Sequence, residues 1–149
     1  MDRVLAAVDG SEHALRAVQL AAELAARCEA ELHLVHVLTD TRSGRIPRGL
    51  EEFERLEHLE LSEAAILRDA AEQMVETAAE RARTAGAPRV ECHVARGDPA
   101  GAILAHAAAL GADVVVVGRR GLGELSGLLQ GSVSQKVTHH AACPVLTVP

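Results

Sequence analysis

Three glycines and a serine carry the clearest chemical possibility in this chain. They fall in the spacing Gly118-x2-Gly121-x9-Gly131-Ser132. Val114-Val115-Val116-Val117 stands immediately before them, and Val133-Ser134-Gln135-Lys136 follows. Four consecutive valines are the pattern of a strand buried on both faces, as in the middle of a parallel sheet. Gly118 would end that strand, and Ser132 would cap the next helix. A strand, a glycine-rich loop and a helix N-terminus together make an anion site. Unpaired N–H groups and the positive end of the helix dipole then point at one place. Glycine at 118, 121 and 131 would let the backbone approach a phosphate chain and adopt positive φ where needed. The same residues could be turn glycines only, but three in one loop with a serine at a helix start favour phosphate contact. Gly123 and Gly127 read as flexibility. Arg119 and Arg120 could be solvated surface charge, or could pair with phosphate oxygens.

Asp9 is the second chemistry-bearing residue. It follows the apolar run Val4 to Val8 and precedes Gly10-Ser11. It could cap the helix that begins there. Its carboxylate could instead accept bonds from a ribose hydroxyl or help hold a metal. One residue can do both.

Several enzyme signatures are missing. There is no Gly-x4-Gly-Lys-Ser/Thr loop, because the single lysine, Lys136, lies past the glycines. There is no Gly-x-Gly-x2-Gly after the first strand and no Gly-x-Ser-x-Gly elbow. The eight histidines look dispersed along the chain. His33 and His36 are three apart in a strand and so face opposite ways. His139 and His140 adjoin at a helix end. No metal centre and no catalytic set is expected from these residues.

The elements that must position Asp9 and the glycine loop read as alternating strands and helices. Strands are expected at 3–8, 31–38, 90–95, 113–117 and 144–148. Helices are expected at about 12–28, 62–84, 99–110 and 132–140. Leu15, Val18, Ala22 and Ala25 give the first helix a stripe at helical spacing. Asp98 and Pro99 suit the cap and first position of the third helix, and Gly111 its stop. Thr41 to Gly49 reads as a polar loop, the best candidate for a mobile segment. Glu51 to Ala85 is helical in character throughout, and Glu51 to Glu60 reads as a solvated helix face. One helix of that length would run roughly 50 Å, against about 38 Å for a compact domain, so a break is expected near Ser62. Strand–helix alternation means an α/β fold with a parallel sheet.

Length and composition narrow the options. The chain has 149 residues, the size of one domain, and 48% of them are apolar. Phe53 is its only aromatic residue of the Phe, Trp and Tyr types. Any flat aromatic ligand bound here must therefore lie between aliphatic side chains. The net charge is −6, with no basic stripe, which argues against nucleic acid as a partner. No apolar run is long enough to span a bilayer, and Met1-Asp2-Arg3-Val4 enters a strand with no signal-peptide pattern. Cys28, Cys92 and Cys143 match neither a zinc spacing nor a disulfide framework, which fits a reducing cytoplasm.

The glycine spacing, Asp9, and His140-Ala141-Ala142-Cys143-Pro144-Val145-Leu146 resemble the ATP-binding branch of the universal stress protein family. The resemblance covers nearly the whole chain, 1–149 as a single domain, and is weak from about Thr39 to Ser62. It implies an open five-stranded parallel sheet of order 3-2-1-4-5 with helices on both faces, similar to the adenine nucleotide alpha hydrolase fold. That order puts the first and fourth strands side by side. Their carboxyl ends would open a crevice flanked by Asp9 and Gly118. It also implies nucleotide-binding roles for Asp9, Val37, Gly118, Arg119, Gly121, Gly131, Ser132 and Val133, with the Val37 backbone reading the adenine edge. Asp98 would lie too far from the crevice to act there.

The ligand implied is ATP, with or without Mg²⁺, and the role that of a cytoplasmic sensor or adaptor in a stress response. A homodimer through the last strand, Pro144 to Val148, is implied as well. Nucleic acid and membrane are not expected partners. Two rivals stand beside this reading: a nucleotide-free dimeric stress protein of the same fold, and a slow ATPase. The intact glycine spacing weighs against the first. The lack of a base–nucleophile set weighs against the second.

Overall fold

The structure, a computed structural model, describes residues 1–39, 50–122 and 130–149, with side chains in 50–60 described only at 58 and 59. The expectations for Thr41 to Gly49, for most of the Glu51 to Glu60 face, and for Gly123 and Gly127 lie outside the described residues. The elements follow in the order β1 (Arg3–Ala7), α1 (Glu12–Cys28), β2 (Glu31–Leu38), α2 (Leu50–Thr84), β3 (Arg89–Arg96), α3 (Pro99–Leu110), β4 (Val114–Gly118), α4 (Ser132–His140) and β5 (Val145–Val148). The strands form one five-stranded sheet in the order β3-β2-β1-β4-β5, and every neighbouring pair is parallel. Val4 lies opposite both Leu32 and Val114, so β1 is paired on both sides.

Strand alternation distributes the core between two faces. Val4, Ala6, Leu32, Leu34, Val114 and Val116 pack against α1 and α2. Leu5, Val35, Val115 and Val117 pack against Ala100, Ile103 and Ala107 of α3 and Val137 of α4. The four valines of β4 are all buried, two on each face, as a central strand requires. The buried stripe of α1 is mostly alanine: Ala14, Ala17, Val18, Ala21, Ala22 and Ala25. Such small side chains let the helix lie close on the sheet. Leu15 is only half-buried, at the margin of that stripe.

The expected break in α2 is absent. Residues 50–84 form one helix of 35 residues, about 52 Å long at about 1.5 Å per residue. Among the described side chains, its buried residues are Ala71, Val75, Ala78, Ala79 and Ala82, all in its second half. Leu61, Ile66 and Leu67, upstream of Ala71, are exposed. The helix therefore overhangs the sheet, and the domain's diameter does not limit its length. Ser62 Oγ donates to His58 O at 3.0 Å, bonding back along the helix without interrupting it.

Candidate functional site

β1 and β4 are adjacent, and the chain leaves them for opposite edges of the sheet. Their carboxyl ends open onto a cleft of about 660 Å³. This is the crevice expected at a topological switch point, and its size is typical of a small-molecule site.

The turn after β1 forms one wall. Asp9 Oδ1 accepts the Ser11 N–H at 2.9 Å. Ser11 Oγ accepts the Ala14 N–H at 3.1 Å and is the N-cap of α1. The cap role considered for Asp9 thus belongs to Ser11, which leaves the Asp9 carboxylate on the cleft. Ser11 Oγ also lies 3.4 Å from the Arg120 carbonyl, joining this turn to the loop after β4.

That loop and α4 form the opposite wall. The N-cap of α4 is Gly131, with no side-chain cap bond, and Ser132 is the first helical residue. Ser132 therefore does not cap. Ser134 takes the tethering role instead, its hydroxyl lying 2.8 Å from Arg119 O and 2.9 Å from Gly131 O. The Gly131 N–H donates to Arg119 O at 2.8 Å, and the first intrahelical bond runs from Gln135 N–H to Gly131 O. The N–H groups of Ser132, Val133 and Ser134 precede that ladder. All three residues line the cleft, at the positive end of the helix dipole.

None of the three glycines lies in the left-handed region, so positive φ is not what they supply; close approach is at issue at Gly118 and Gly121. A Cβ on Gly118 would fall 2.8 Å from backbone atoms of His13 and Ala14. One on Gly121 would fall 2.8 Å from Asp9 Oδ2. Gly131 is looser, with Arg119 O at 3.4 Å.

Asp9, Val37, Gly118, Gly121, Gly131, Ser132 and Val133 all line this one cleft. Arg119 does not; its carbonyl braces α4, while Arg120 faces the cleft. Sequence reasoning missed His36, Thr39, Pro99, Ile103 and Ser134, which also line it. The His36 ring contacts Val8 O through Nδ1 at 2.7 Å, and a carbonyl only accepts, so Nδ1 carries the proton. Asp98 is closer than expected. α3 returns over the sheet so that Pro99 lines the cleft, and Asp98 Oδ1 lies 3.8 Å from Lys136 Nζ of α4. A strand order alone does not convey where a crossover helix begins.

The histidines are not dispersed in space. His33, His93 and His106 meet on the α3 face of β2 and β3. His33 Nδ1 lies 3.1 Å from His93 Nε2, and the His93 and His106 rings pack edge to face at 4.5 Å. Strand pairing brings together residues sixty apart, a relation that spacing along the chain does not reveal. Burial, with the neighbouring imidazoles, pushes the His93 pKa below its usual value, and burial does the same for His106.

The sequence matches the model of the universal stress protein family over residues 1–149. The chain belongs to the universal stress protein family. A universal stress protein of Thermus aquaticus is 39% identical over 147 residues, covering 97% of this chain and 96% of the relative. Among solved structures, the universal stress protein UspA from Lactobacillus plantarum superposes with a TM-score of 0.76 at 28% identity, covering 99% of this chain and 97% of that one. A universal stress protein crystallised in complex with cAMP superposes with a TM-score of 0.71 at 28% identity, covering 99% and 95%. The sheet order of this family member agrees with the order its resemblance implied. Among the described residues, no helix is long and apolar enough to cross a membrane.

Proposed function

We propose that this universal stress protein binds ATP in the switch-point cleft and acts as a nucleotide-dependent sensor or adaptor. The observation that carries the reading is the meeting of two complementary walls. Ser132, Val133 and Ser134, whose N–H groups precede the hydrogen-bond ladder of α4, line the same cleft as Asp9. The α4 terminus and Arg120 suit a phosphate chain, and Asp9 suits ribose hydroxyls. The aliphatic lining of Val35, Val37, Ile103 and Val117 suits an adenine ring in a chain almost without aromatics. Mg²⁺ could accompany the phosphates, with Asp9 the carboxylate nearest to hand.

The proposal includes a homodimer through β5, whose outer edge carries no strand partner among the described residues. It also places the protein in the cytoplasm, in keeping with three free cysteines. A cyclic nucleotide is the second reading, favoured by the relative bound to cAMP. Mass spectrometry of small molecules released from freshly purified protein, followed by calorimetry, tests both. ATP recovered and rebound supports the proposal. Recovery of cAMP or AMP alone transfers the site to that ligand. Neither recovery nor binding of any adenine nucleotide removes the assignment.

A further inference from the structure

None of the three clustered histidines lines the cleft; His33 lies near the amino end of β2 and His93 at the middle of β3. Register places His33 opposite Glu91, with His93 two residues further along β3 on the same face. One donor atom from each of His33, Glu91 and His93 lies within 4.8 Å of the others. The His33 Nδ1 to His93 Nε2 separation of 3.1 Å is near the roughly 3.3 Å between two nitrogens on a tetrahedral zinc with bonds of about 2.0–2.1 Å. Glu91 Oε2 stands 4.0 Å from His33 Nδ1, on an exposed side chain able to turn inward.

The far side of the His33 ring points to the same use. His33 is 5% exposed, and its Nε2 has no hydrogen-bond partner. The nearest charged atom to Nε2 is Glu31 Oε2, at 3.7 Å. If Nε2 carries the proton, it faces this carboxylate favourably, and the Nδ1 lone pair then points at His93. At 3.7 Å this is an electrostatic approach and not a hydrogen bond; a small rotation of Glu31 would bring it to the carboxylate–imidazole arrangement that orients metal-bound histidine. The His106 ring packs against His93 and restricts its orientation.

We propose that His33, Glu91 and His93 form a binding site for a divalent transition-metal ion with the coordination preference of Zn²⁺. Two imidazoles and one carboxylate suit zinc, and a fourth position would remain for water or another donor. Mg²⁺ and Ca²⁺ prefer all-oxygen shells and are poor matches. Glu31 acts as a positioning residue behind His33.

The full chain, stripped with a chelator, is titrated with Zn²⁺ against a chromogenic indicator, and separately with Co²⁺ to read coordination geometry by visible absorption. The expected result is a single tight equivalent and a tetrahedral Co²⁺ spectrum. Loss of a direct ligand in His93→Gln or Glu91→Gln should weaken binding by more than the roughly 10–100-fold typical of an outer-shell partner. Both side chains are partly exposed, so these variants should fold, which circular dichroism checks. The adjoining His139 and His140, whose rings are 5.7 Å apart, are the competing site. A double His139→Gln, His140→Gln variant should bind Zn²⁺ as the parent does. No tight binding in the parent, unchanged binding in His93→Gln, or loss in the His139/His140 variant would each overturn the proposal. ATP affinity is not part of the readout, so this result is independent of the nucleotide assignment.

Discussion

Asp9 Oδ2 lies 2.8 Å from the position a Cβ on Gly121 would occupy. The carboxylate after β1 thus fills the space a side chain at Gly121 would need, at the switch point. Asp9 is also held by the Ser11 N–H, so it has little room to withdraw. Gly121→Ala is expected to displace the carboxylate and weaken ATP binding while the chain stays folded. Asp9→Ala should weaken binding about ten- to hundredfold, since a charge-assisted hydrogen bond contributes about 1.5–3 kcal/mol. Calorimetry on both variants checks this. Parent-like affinity in Asp9→Ala would remove the ribose role.

Gly118 is expected to matter for stability. Its absent side chain is replaced by the backbone of His13 and Ala14, which cannot move without shifting α1. Overpacking of this kind costs about 1–3 kcal/mol. Gly118→Ala should therefore lower the melting temperature, by roughly 2–4 °C per kcal/mol for a domain of this size. An unchanged melting temperature would mean that α1 yields easily.

The proposed dimer is best tested at Leu146. Its side chain is 38% exposed on the edge strand, whereas Val145 also packs into the core. An open edge with an apolar side chain is a pairing surface. Leu146→Lys should convert a dimeric parent into a monomer in light scattering with little loss of stability. A parent that is monomeric at micromolar concentration contradicts the assignment. Val145→Asp would disturb the fold as well, and so separates the two effects poorly.

Turnover of ATP is expected to be very slow. Phosphoryl transfer needs charge stabilisation and a group that positions the attacking water. Lys136, one turn into α4, faces Asp98 at 3.8 Å. Asp9 Oδ1 already accepts the Ser11 N–H, and the proposed ribose role would engage the rest of the carboxylate. Phosphate release should stay far below the roughly 1 s⁻¹ at the low end of enzyme turnover. A faster rate in Mg²⁺ that Gly131→Asp abolishes would make the protein an enzyme.

Asp113 should contribute a pH-dependent part of stability. Its Oδ2 accepts the N–H groups of Asp2 and Arg3, at 2.6 and 3.0 Å, and these bonds hold its pKa below the ordinary 3.8. A carboxylate with a depressed folded-state pKa stabilises the fold above its unfolded value. The contribution is lost as pH falls through the folded value. Asp113→Ala should be less stable than the parent at neutral pH, and the difference should close as the pH falls through the depressed folded value. Urea melts across that range check the sign. A difference that persists unchanged in acid would show that the charge is not its source.

Local features were legible in the order of the residues. The run of valines in β4, Asp98-Pro99 opening α3 and Gly111 closing it in the left-handed region all depend on neighbours in the chain. Short-range sterics and hydrogen bonding decide them, so they can be read in one dimension. The cleft could be located because a glycine loop between a buried strand and a helix has few other uses.

Tertiary structure decided what depends on the approach of distant segments. Ser134, and not Ser132, tethers α4, because Arg119 O comes to meet its hydroxyl. Gly118 is required by the backbone at the start of α1, and a Cβ on Gly121 would have to displace the Asp9 carboxylate that follows the neighbouring strand. α2 runs unbroken: among the described side chains its buried positions lie in the second half, and the exposed Leu61, Ile66 and Leu67 upstream set no limit on its length. His33 and His93 meet through the register of β2 with β3. Sequence separation carries no trace of such meetings, since pairing and packing are properties of the folded chain.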